Sequence, residues 1–454
     1  MLGVAADAWW VEHAGPEAVA RRQRARLAAL VRHARHASPY YRRLYHGLPA
    51  EVTDPRVLPP VDRPGLMARF DEWVTDPRLT LEALHRDVLD GPSPVGARYL
   101  GGYHVITTSG TSGEPAVLVH DRASWAAAAA VLRVRARRTA LRPEVLGPVL
   151  RHGLRTAVLV ATGGHFAAVT VAEDLRRRSR AQARRLRVVS VLRPLPEIVA
   201  ELEEFRPTVL VGYPSVLRLL AGERRAGRLG VDPALVAVGG ETLTPAARRA
   251  ISGSFGCPVL DEYAASEVPA LAVECPRAAL HVNADRYLFE PVDERLRPVP
   301  PGTVSATALV TNLDNRVQPL LRYDLGDSAV LAAGPCPCGS PLPVVRVEGR
   351  SGAVLRLRAG AGPTVEVPPL ALGTVIGETP GVRRFQAVGT GPETLTVHLE
   401  PDPGADLVLI RSAAEARLRA FLDARGLVTV AVRHSPDPPR PDPRSGKFRE
   451  VWSR

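Results

Sequence analysis

A stretch of small hydroxyl residues and glycines, TTSGTSGEP at 107–115, has the composition of an anion-binding loop. Backbone amides and hydroxyl groups in such a turn can all face one anion, and a phosphate group fits that chemistry. The spacing is not that of a Walker A loop, because the one Gly-Lys pair, Gly446-Lys447, has Pro441 where that motif needs its first glycine. For this stretch alone, an ordinary Gly/Ser hairpin turn is the alternative.

The chain contains a single lysine, Lys447, among 59 basic residues. Arginine has replaced lysine wherever a generic cation is sufficient. Lysine offers a compact, mobile charge that a planar guanidinium cannot imitate in a tight site. We therefore predict that Lys447 occupies a tight site that requires a lysine; survival of one lysine by chance is the alternative.

Composition limits the class of protein. The 454 residues are 45% hydrophobic, which is typical of a globular chain with two or more domains. No apolar run approaches the roughly 20 residues of a membrane span, and the first residues lack the pattern of a signal peptide, so we expect a cytoplasmic protein with no membrane partner. The net charge of +12 permits nucleic-acid binding, but acids alternate with the arginines and only 5% of residues are aromatic. We expect no nucleic acid, and keep an arginine-rich nucleic-acid-binding protein as the non-enzyme alternative.

Short apolar, β-branched runs alternate with helical patterns through the middle of the chain. This alternation predicts βαβ units and a mainly parallel sheet, with ligands at the carboxyl ends of its strands. Two polar groups directly follow such strands, Gly239-Gly240-Glu241 and Asp261-Glu262-Tyr263. Both stand where a nucleotide would be held. The runs are at 156–160, 188–192, 209–211, 236–238 and 258–260.

The predicted fold class is α/β with two domains. Residues 1–349 form a large N-terminal domain with mainly parallel sheets and a β-rich section at 302–332. Residues 350–454 form a small, mobile α+β domain of ordinary size, which carries Lys447 on a Pro-rich arm. The segments 38–45 and 58–74 are predicted to be a turn-rich wrap that carries no chemistry.

A second constellation suits a metal. Cys275 and His281 are separated by five residues, and Cys336 and Cys338 by one. Two thiolates one residue apart suit a tetrahedral zinc ion better than a disulfide, and a filled Cys3His set would be structural. Two unrelated pairs of buried thiols are the alternative. Cys257 is predicted to be a buried thiol outside the set.

The order of motifs resembles the adenylate-forming (ANL) enzymes, and most closely the phenylacetate–coenzyme A ligase branch. The resemblance covers essentially the whole chain, and some members of the branch are similar in carrying a zinc ion in the β-rich section. Six motifs carry the resemblance to this family: TTSGTSGEP (107–115), VGGETL (238–243), DEYAASE (261–267), PLLRYDLGD (319–327), VRVEGR (345–350) and SGKFREV (445–451).

The resemblance implies two half-reactions. A carboxylate attacks the α-phosphorus of Mg-ATP, giving an acyl-adenylate and pyrophosphate, and a nucleophile, usually the coenzyme A thiol, then displaces AMP. Glu267 would ligate Mg²⁺, and Lys447 would bridge the carboxylate and the α-phosphate. Tyr263 would stack on adenine and Asp327 would accept both ribose hydroxyls. The implied ATP- and AMP-binding residues are Ser109, Gly110, Thr111, Ser112, Gly113, Gly239, Gly240, Glu241, Asp261, Glu262, Tyr263, Asp327 and Arg350.

The resemblance further implies a small, aromatic or related carboxylic acid as substrate and makes a homodimer a reasonable expectation. The predicted acyl pocket consists of Thr162, Gly163, His165, Phe166, Tyr213, Pro214, Ala264, Ala265 and Val268. Three positions depart from the family pattern: Glu114 replaces a frequent loop lysine, Ala264 the usual glycine, and Ser351-Gly352 the acidic hinge. The altered hinge leaves an alternative open, an amide ligase or adenylyltransferase with an amine or hydroxyl acceptor.

Overall fold

The computed structural model describes residues 2–108, 116–350, 355–367, 369–443 and 448–453. Several predicted functional residues lie outside these ranges. They are Ser109, Gly110, Thr111, Ser112, Gly113 and Glu114 of the phosphate-loop candidate, Ser351 and Gly352 of the hinge, and Lys447.

About half of the described helices begin with a side chain that satisfies free backbone amides. Asp121 and Thr244, for example, accept hydrogen bonds from Ser124 N at 2.7 Å and Ala247 N at 3.2 Å. The helices are α1 (Leu2–Val11), α2 (Gly15–Ala37), α3 (Pro39–Leu44), α4 (Arg63–Met67), α5 (Phe70–Trp73), α6 (Leu81–Leu84), α7 (Arg122–Ala140), α8 (Pro143–His152), α9 (Ala167–Arg177), α10 (Arg180–Arg185), α11 (Leu195–Phe205), α12 (Pro214–Arg225), α13 (Pro245–Phe255), α14 (Pro369–Gly377) and α15 (Leu407–Asp423), with a 3-10 turn at Pro55–Val57 and a π-helical turn at His85–Leu89. None of the described helices is long and apolar enough to cross a bilayer.

The strands follow the predicted apolar runs closely, since these runs are buried on both faces of a sheet. They are β1 (His104–Thr107), β2 (Val117–His120), β3 (Thr156–Val160), β4 (Leu186–Ser190), β5 (Val209–Gly212), β6 (Leu235–Gly239), β7 (Val259–Tyr263), β8 (Ala272–Glu274), β9 (Leu280–Val282), β10 (Tyr287–Val292), β11 (Thr307–Asn312), β12 (Leu320–Asp324), β13 (Asp327–Leu331), β14 (Val344–Arg350), β15 (Leu355–Arg358), β16 (Thr364–Val367), β17 (Val382–Gly391), β18 (Thr394–Pro401), β19 (Ala431–His434) and β20 (Val451–Ser453).

The largest sheet among the described residues has nine strands in the order β13-β14-β9-β8-β7-β6-β5-β3-β4. Strands β4, β3, β5, β6 and β7 are parallel, whereas β7, β8, β9, β14 and β13 pair antiparallel. The parallel half brings the carboxyl ends of β6 and β7 to one edge, as the alternating pattern predicts. The α/β fold class is confirmed, and the sheet is mixed because the β-rich section continues it.

A hairpin and a small sheet complete the large domain. Strands β1 and β2 pair antiparallel on either side of the phosphate-loop candidate, and β10, β11 and β12 form a three-stranded antiparallel sheet. Strand β11 is buried along its whole length, and residues of both sheets share one apolar core with α2 and α3. The segments 38–45 and 58–74 contain the short helices α3, α4 and α5 rather than turns alone.

The C-terminal part has its own sheet, in the order β19-β18-β17-β20, and a hairpin of β15 and β16. Helices α14 and α15 pack on it around a separate apolar core that includes Leu372, Phe385 and Leu418. This agrees with the predicted α+β composition. The exact boundary at residue 350 and the mobility of this domain stay predictions.

Candidate active site

A cavity of about 1470 Å³ opens beside the carboxyl ends of β6 and β7. Its walls include four distant parts of the chain that carry predicted motifs: the segment after β6, the segment 261–267, the turn around Asp327 and the C-terminal residues 448–453. The predicted nucleotide motifs therefore meet in one space. Eight of the residues predicted to bind nucleotide or magnesium line this cavity. They are Gly240, Glu241, Asp261, Glu262, Tyr263, Glu267, Asp327 and Arg350.

Gly239 lies just beneath this surface. A β-carbon at Gly239 would approach the carbonyl oxygen of Glu262 on the neighbouring strand to 3.1 Å. Gly240 has φ +79°, a conformation that favours glycine. The glycine pair thus allows β6 to pack against β7 and the chain to turn sharply toward the cavity.

Asp327, Tyr263 and Arg350 form a hydrogen-bonded chain in the cavity wall. The Tyr263 hydroxyl donates to Asp327 Oδ2 at 2.6 Å, and Arg350 Nη1 donates to Asp327 Oδ1 at 2.9 Å. Burial and the charge of Asp327 raise the pKa of Tyr263 well above its usual value, so the hydroxyl remains a donor. The three predicted nucleotide-binding side chains therefore hold one another in place.

Glu267 is buried where the two sheets meet. Its Oε1 accepts a hydrogen bond from the Tyr323 hydroxyl at 3.0 Å, and its carbonyl oxygen accepts one from Asn312 Nδ2, also at 3.0 Å. His120 at the end of β2 donates from Nε2 to the Ser266 carbonyl oxygen at 2.9 Å. The hairpin of β1 and β2 is thereby bonded directly to the residue that precedes Glu267.

Glu241 joins the two domains. Its carboxylate accepts hydrogen bonds from the backbone amide and hydroxyl of Ser215, each at 3.0 Å, at the start of α12. An acid at a helix N-terminus satisfies free amides and complements the helix dipole. Glu241 Oε1 also accepts from the backbone amide of Phe448 at 2.6 Å. The residue next to Lys447 is therefore bonded to a motif of the large domain.

A group of partly buried carboxyls lines the same cavity. Burial and the neighbouring charge of Glu274 raise the pKa of Asp261 to about 7, and burial and Asp261 raise that of Glu262 to about 7. Burial likewise raises the pKa of Glu450 to about 7, with Glu241 adding to the shift. Each of these acids can therefore hold a proton near neutral pH, because burial weakens the solvation of its negative charge.

The base of the phosphate-loop candidate adjoins this cavity. Thr108, which lines it, donates from its backbone amide to the Ala116 carbonyl oxygen at 3.0 Å and accepts from Ala116 N at its hydroxyl at 2.8 Å. These two residues flank the stretch 109–115. The phosphate-binding role of that stretch stays a prediction.

Only part of the predicted acyl pocket lines the cavity. Pro214, Ala264 and Ala265 line the cavity, whereas its described lining does not include Thr162, Gly163, His165, Phe166, Tyr213 or Val268. His165 is buried against the Val88 backbone, and burial lowers its pKa. Tyr213 is hydrogen-bonded to the Ala161 backbone. The role of these residues in binding an acid stays a prediction.

Cys275, His281, Cys336 and Cys338 come together outside the described lining of this cavity, with their ligand atoms all within 4.8 Å of one another. Cys275 Sγ lies 3.9 Å from Cys336 Sγ, and Cys338 Sγ lies 3.3 Å from His281 Nε2. His281 Nδ1 donates to the Leu342 carbonyl oxygen at 2.8 Å, which leaves Nε2 facing the sulfurs. A bond of this kind to the other ring nitrogen commonly orients a histidine that binds a metal. Cys257 lies outside the cluster, and burial raises its pKa to about 12.

Sequence reasoning missed several side chains in the cavity wall. Arg63 belongs to the N-terminal wrap, and Arg248 and Glu274 pair beneath Asp261. The acids of DEYAASE indicate that a cation lies near them in the folded protein. The sequence does not say which of the many arginines supplies that cation. Arg63 stands in LPPVDRPGL (58–66), within the segment predicted to be a wrap without chemistry, so that prediction gave no sign of its place in the cavity wall.

Comparisons with known proteins agree with this geometry. No protein-family model matches the sequence. Phenylacetate-coenzyme A ligase from Thermus thermophilus is 30% identical over 247 residues, which is 52% of this chain and 51% of the ligase. Protein CapK from Staphylococcus aureus is 30% identical over 135 residues, 29% of this chain and 28% of CapK. The chain thus matches about half the length of the first relative and less of the second.

Solved structures resemble the chain over more of its length. A 2-hydroxyisobutyryl-CoA ligase in the postadenylation state, in complex with 2-HIB-AMP, aligns with a TM-score of 0.67 at 20% identity, covering 92% of this chain and 85% of the ligase. A benzoate CoA ligase from Burkholderia xenovorans aligns with a TM-score of 0.50 at 17% identity, covering 76% and 66% of the two chains.

The fold is that of the ANL superfamily of adenylate-forming enzymes. Over about half of its length, the chain is also similar in sequence to phenylacetate-coenzyme A ligase, at 30% identity.

Proposed function

We propose that this protein is an ATP-dependent, AMP-forming acid–thiol ligase. It activates a small, aromatic or related carboxylic acid as an acyl-adenylate and transfers the acyl group to coenzyme A. The observation that carries this proposal is the meeting of the nucleotide motifs in one cavity, with the segment next to Lys447 bonded to Glu241. The coenzyme A ligases among the similar structures and relatives support the choice of reaction class.

The described side chains suit the nucleotide part of this reaction. Asp327 has two oxygens with about four acceptor sites, so it can accept ribose hydroxyls while keeping its bonds to Tyr263 and Arg350. The Tyr263 ring forms part of the cavity wall, where adenine would stack. Glu241 binds the backbone of Phe448, the residue after Lys447, and we assign Lys447 to the carboxylate and the α-phosphate.

Two metal ions fit the described residues. Glu267 would hold Mg²⁺, which neutralises charge on the leaving pyrophosphate. The Cys3His cluster would hold a structural Zn²⁺, since its four ligand atoms face one another and His281 already has its supporting bond. The zinc cluster lies outside the described lining of the cavity, so we assign it no part in the chemistry.

The test is pyrophosphate release from ATP with a panel of aryl, alkyl and amino acids, in the absence of coenzyme A. We expect release with one class of acid, and a decrease of about 10²- to 10³-fold in Lys447→Ala, because a preorganised charge at the reacting centre is lost. Arg440→Ala, which removes an exposed cation from the same arm, serves as the control and should leave the rate unchanged.

Release that is equal in the native protein and Lys447→Ala would contradict the proposal. A second assay then supplies coenzyme A, amines or hydroxyl compounds to the active acid and measures AMP. Acceleration by coenzyme A supports the ligase, whereas acceleration by an amine or hydroxyl alone would favour the amide ligase or adenylyltransferase that the altered hinge leaves open.

A further inference from the structure

Arg63 lies in the wall of the active-site cavity, although it belongs to the N-terminal wrap. Its guanidinium Nη2 is 3.8 Å from Glu267 Oε1, and its side chain is 20% exposed. Arg63 is also hydrogen-bonded to the Tyr323 hydroxyl, which itself donates to Glu267. A cation is therefore held beside the residue that would ligate Mg²⁺.

The backbone places Arg63 there with little freedom. Val61 pairs with β12 through two hydrogen bonds: its amide donates to the Arg322 carbonyl oxygen at 3.0 Å, and its carbonyl oxygen accepts from Asp324 N at 2.8 Å. Asp62 then accepts a hydrogen bond from Gly65 N at 2.8 Å and caps α4. Arg63 directly follows the capping residue Asp62. The pairing of Val61 with β12 and the cap of α4 together fix the backbone on either side of Arg63, so its side chain lies in the cavity wall.

The charge of the phosphate-loop candidate explains why a cation is needed. The stretch 107–119 contains no lysine or arginine, and its one ionisable residue is Glu114. The β- and γ-phosphates of ATP would add several negative charges at this place. Mg²⁺ on Glu267 would offset part of this charge. A cation from another part of the chain would offset more of it, and Lys447 is assigned to the α-phosphate.

The hairpin that carries this stretch is joined to the Glu267 segment. His120, at the end of β2, is bonded to the Ser266 carbonyl oxygen, and Ser266 precedes the glutamate that Arg63 contacts. The separation of 3.8 Å from Glu267 is an ion pair rather than a hydrogen bond, so the guanidinium charge lies beside the carboxylate without being bonded to it. Guanidinium groups bind phosphate oxygens through paired, charge-assisted hydrogen bonds.

We propose that Arg63 binds the β- and γ-phosphates of ATP and supplies the charge that the phosphate loop lacks. This inference rests on the proposed function and deepens it. The proposal predicts different effects on different nucleotides. Arg63 contributes to the binding of ATP and of pyrophosphate. It does not contribute to the binding of AMP, which lacks the β- and γ-phosphates.

The test is titration calorimetry with the magnesium complex of α,β-methylene-ATP and, separately, with AMP. We expect Arg63→Ala to weaken binding of the triphosphate about 10- to 100-fold and to change the AMP affinity less than about 2-fold, while Arg63→Lys recovers part of the loss because it restores a cation. Arg69→Ala, an exposed arginine six residues later that is absent from the described cavity lining, should leave both affinities unchanged.

Three outcomes would overturn the proposal. Unchanged triphosphate binding in Arg63→Ala, with a native protein that binds both nucleotides, refutes the role of Arg63 and leaves the proposed function intact. An equal loss for AMP and the triphosphate, with no recovery in Arg63→Lys, shows that Arg63 only maintains the wall. A native protein that binds neither nucleotide refutes the proposed function and this inference with it.

Discussion

Asp327 is the side chain on which the nucleotide wall is centred. It accepts hydrogen bonds from a hydroxyl and from a guanidinium that come from two other strands, β7 and β14. Arg350 Nη1 also donates to the Leu325 carbonyl oxygen at 2.8 Å, which fixes the turn before Asp327. A side chain with this many partners is preorganised, so it can bind a ribose without first being ordered.

Replacement of Asp327 by asparagine should weaken binding of both ATP and AMP by about tenfold or more. The amide keeps the shape but loses one acceptor oxygen and the charge that pairs with Arg350. Because ribose is common to both nucleotides, the two affinities should fall together, in contrast to the selective loss expected for Arg63→Ala. Titration calorimetry measures both, and affinities equal to those of the native protein would exclude a ribose contact.

At the scale of elements, the antiparallel half of the large sheet depends on two connections that meet at the Cys3His cluster. Cys275 and His281 are at the end of β8 and within β9, and Cys336 and Cys338 are in the connection between β13 and β14. The connections contain few apolar residues and are exposed. A metal ion bound there would link two hairpins that otherwise share only a short stretch of β9 with β14.

We expect the native protein to contain about one zinc ion per chain and Cys336→Ser to lose it. The midpoint of thermal unfolding should fall by roughly 5–10 °C, since removal of one ligand destabilises the cross-link by a few kcal/mol. Plasma emission spectrometry measures the metal and calorimetry the midpoint. Cys257→Ser, which changes a cysteine outside the cluster, should retain the zinc; full zinc content in Cys336→Ser would refute the site.

At the scale of the whole molecule, polar contacts join the two domains. Arg218 Nη2 donates to the Val382 carbonyl oxygen at 2.5 Å, and Arg249 pairs with Glu378 at 2.8 Å. Together with the bond between Glu241 and Phe448, these contacts orient the small domain over the cavity. Polar contacts of this kind are typical of interfaces between domains. The mobility of the C-terminal part stays a prediction.

Stability should depend on pH through Glu450, which lies at this interface near Arg218 and Glu241. Its pKa in the folded protein is raised to about 7, above that of the unfolded chain, so the folded state holds the proton more tightly. The contribution of this group to stability is therefore present at low pH and lost as the pH rises from about 4.5 to 7. Glu450→Gln removes that loss.

The unfolding free energy of Glu450→Gln should consequently increase relative to the native protein as the pH rises through this window, by roughly 1–3 kcal/mol, and the difference should level off above it. Denaturant unfolding at intervals from pH 5 to 8 measures the difference. A difference that does not change with pH, or one that decreases, would show that the carboxyl ionises normally.

The sequence alone determined the class of fold, the order of the motifs and the four cysteine and histidine residues of the cluster. Those features depend on local properties, because a buried β-branched run becomes a strand and a glycine pair permits a turn in any context. Strands β3, β5 and β6 were therefore found to within two residues.

Only the tertiary structure decided which side chains share the cavity. His165 stands in a glycine-rich loop like a pocket residue, yet its imidazole is buried against Val88, whereas Arg63 stands in a wrap without evident chemistry and reaches Glu267. Glu241 caps a helix and binds the backbone next to Lys447. Each of these contacts joins residues far apart in the chain, and their direction depends on how sheets and helices pack, which no local pattern encodes.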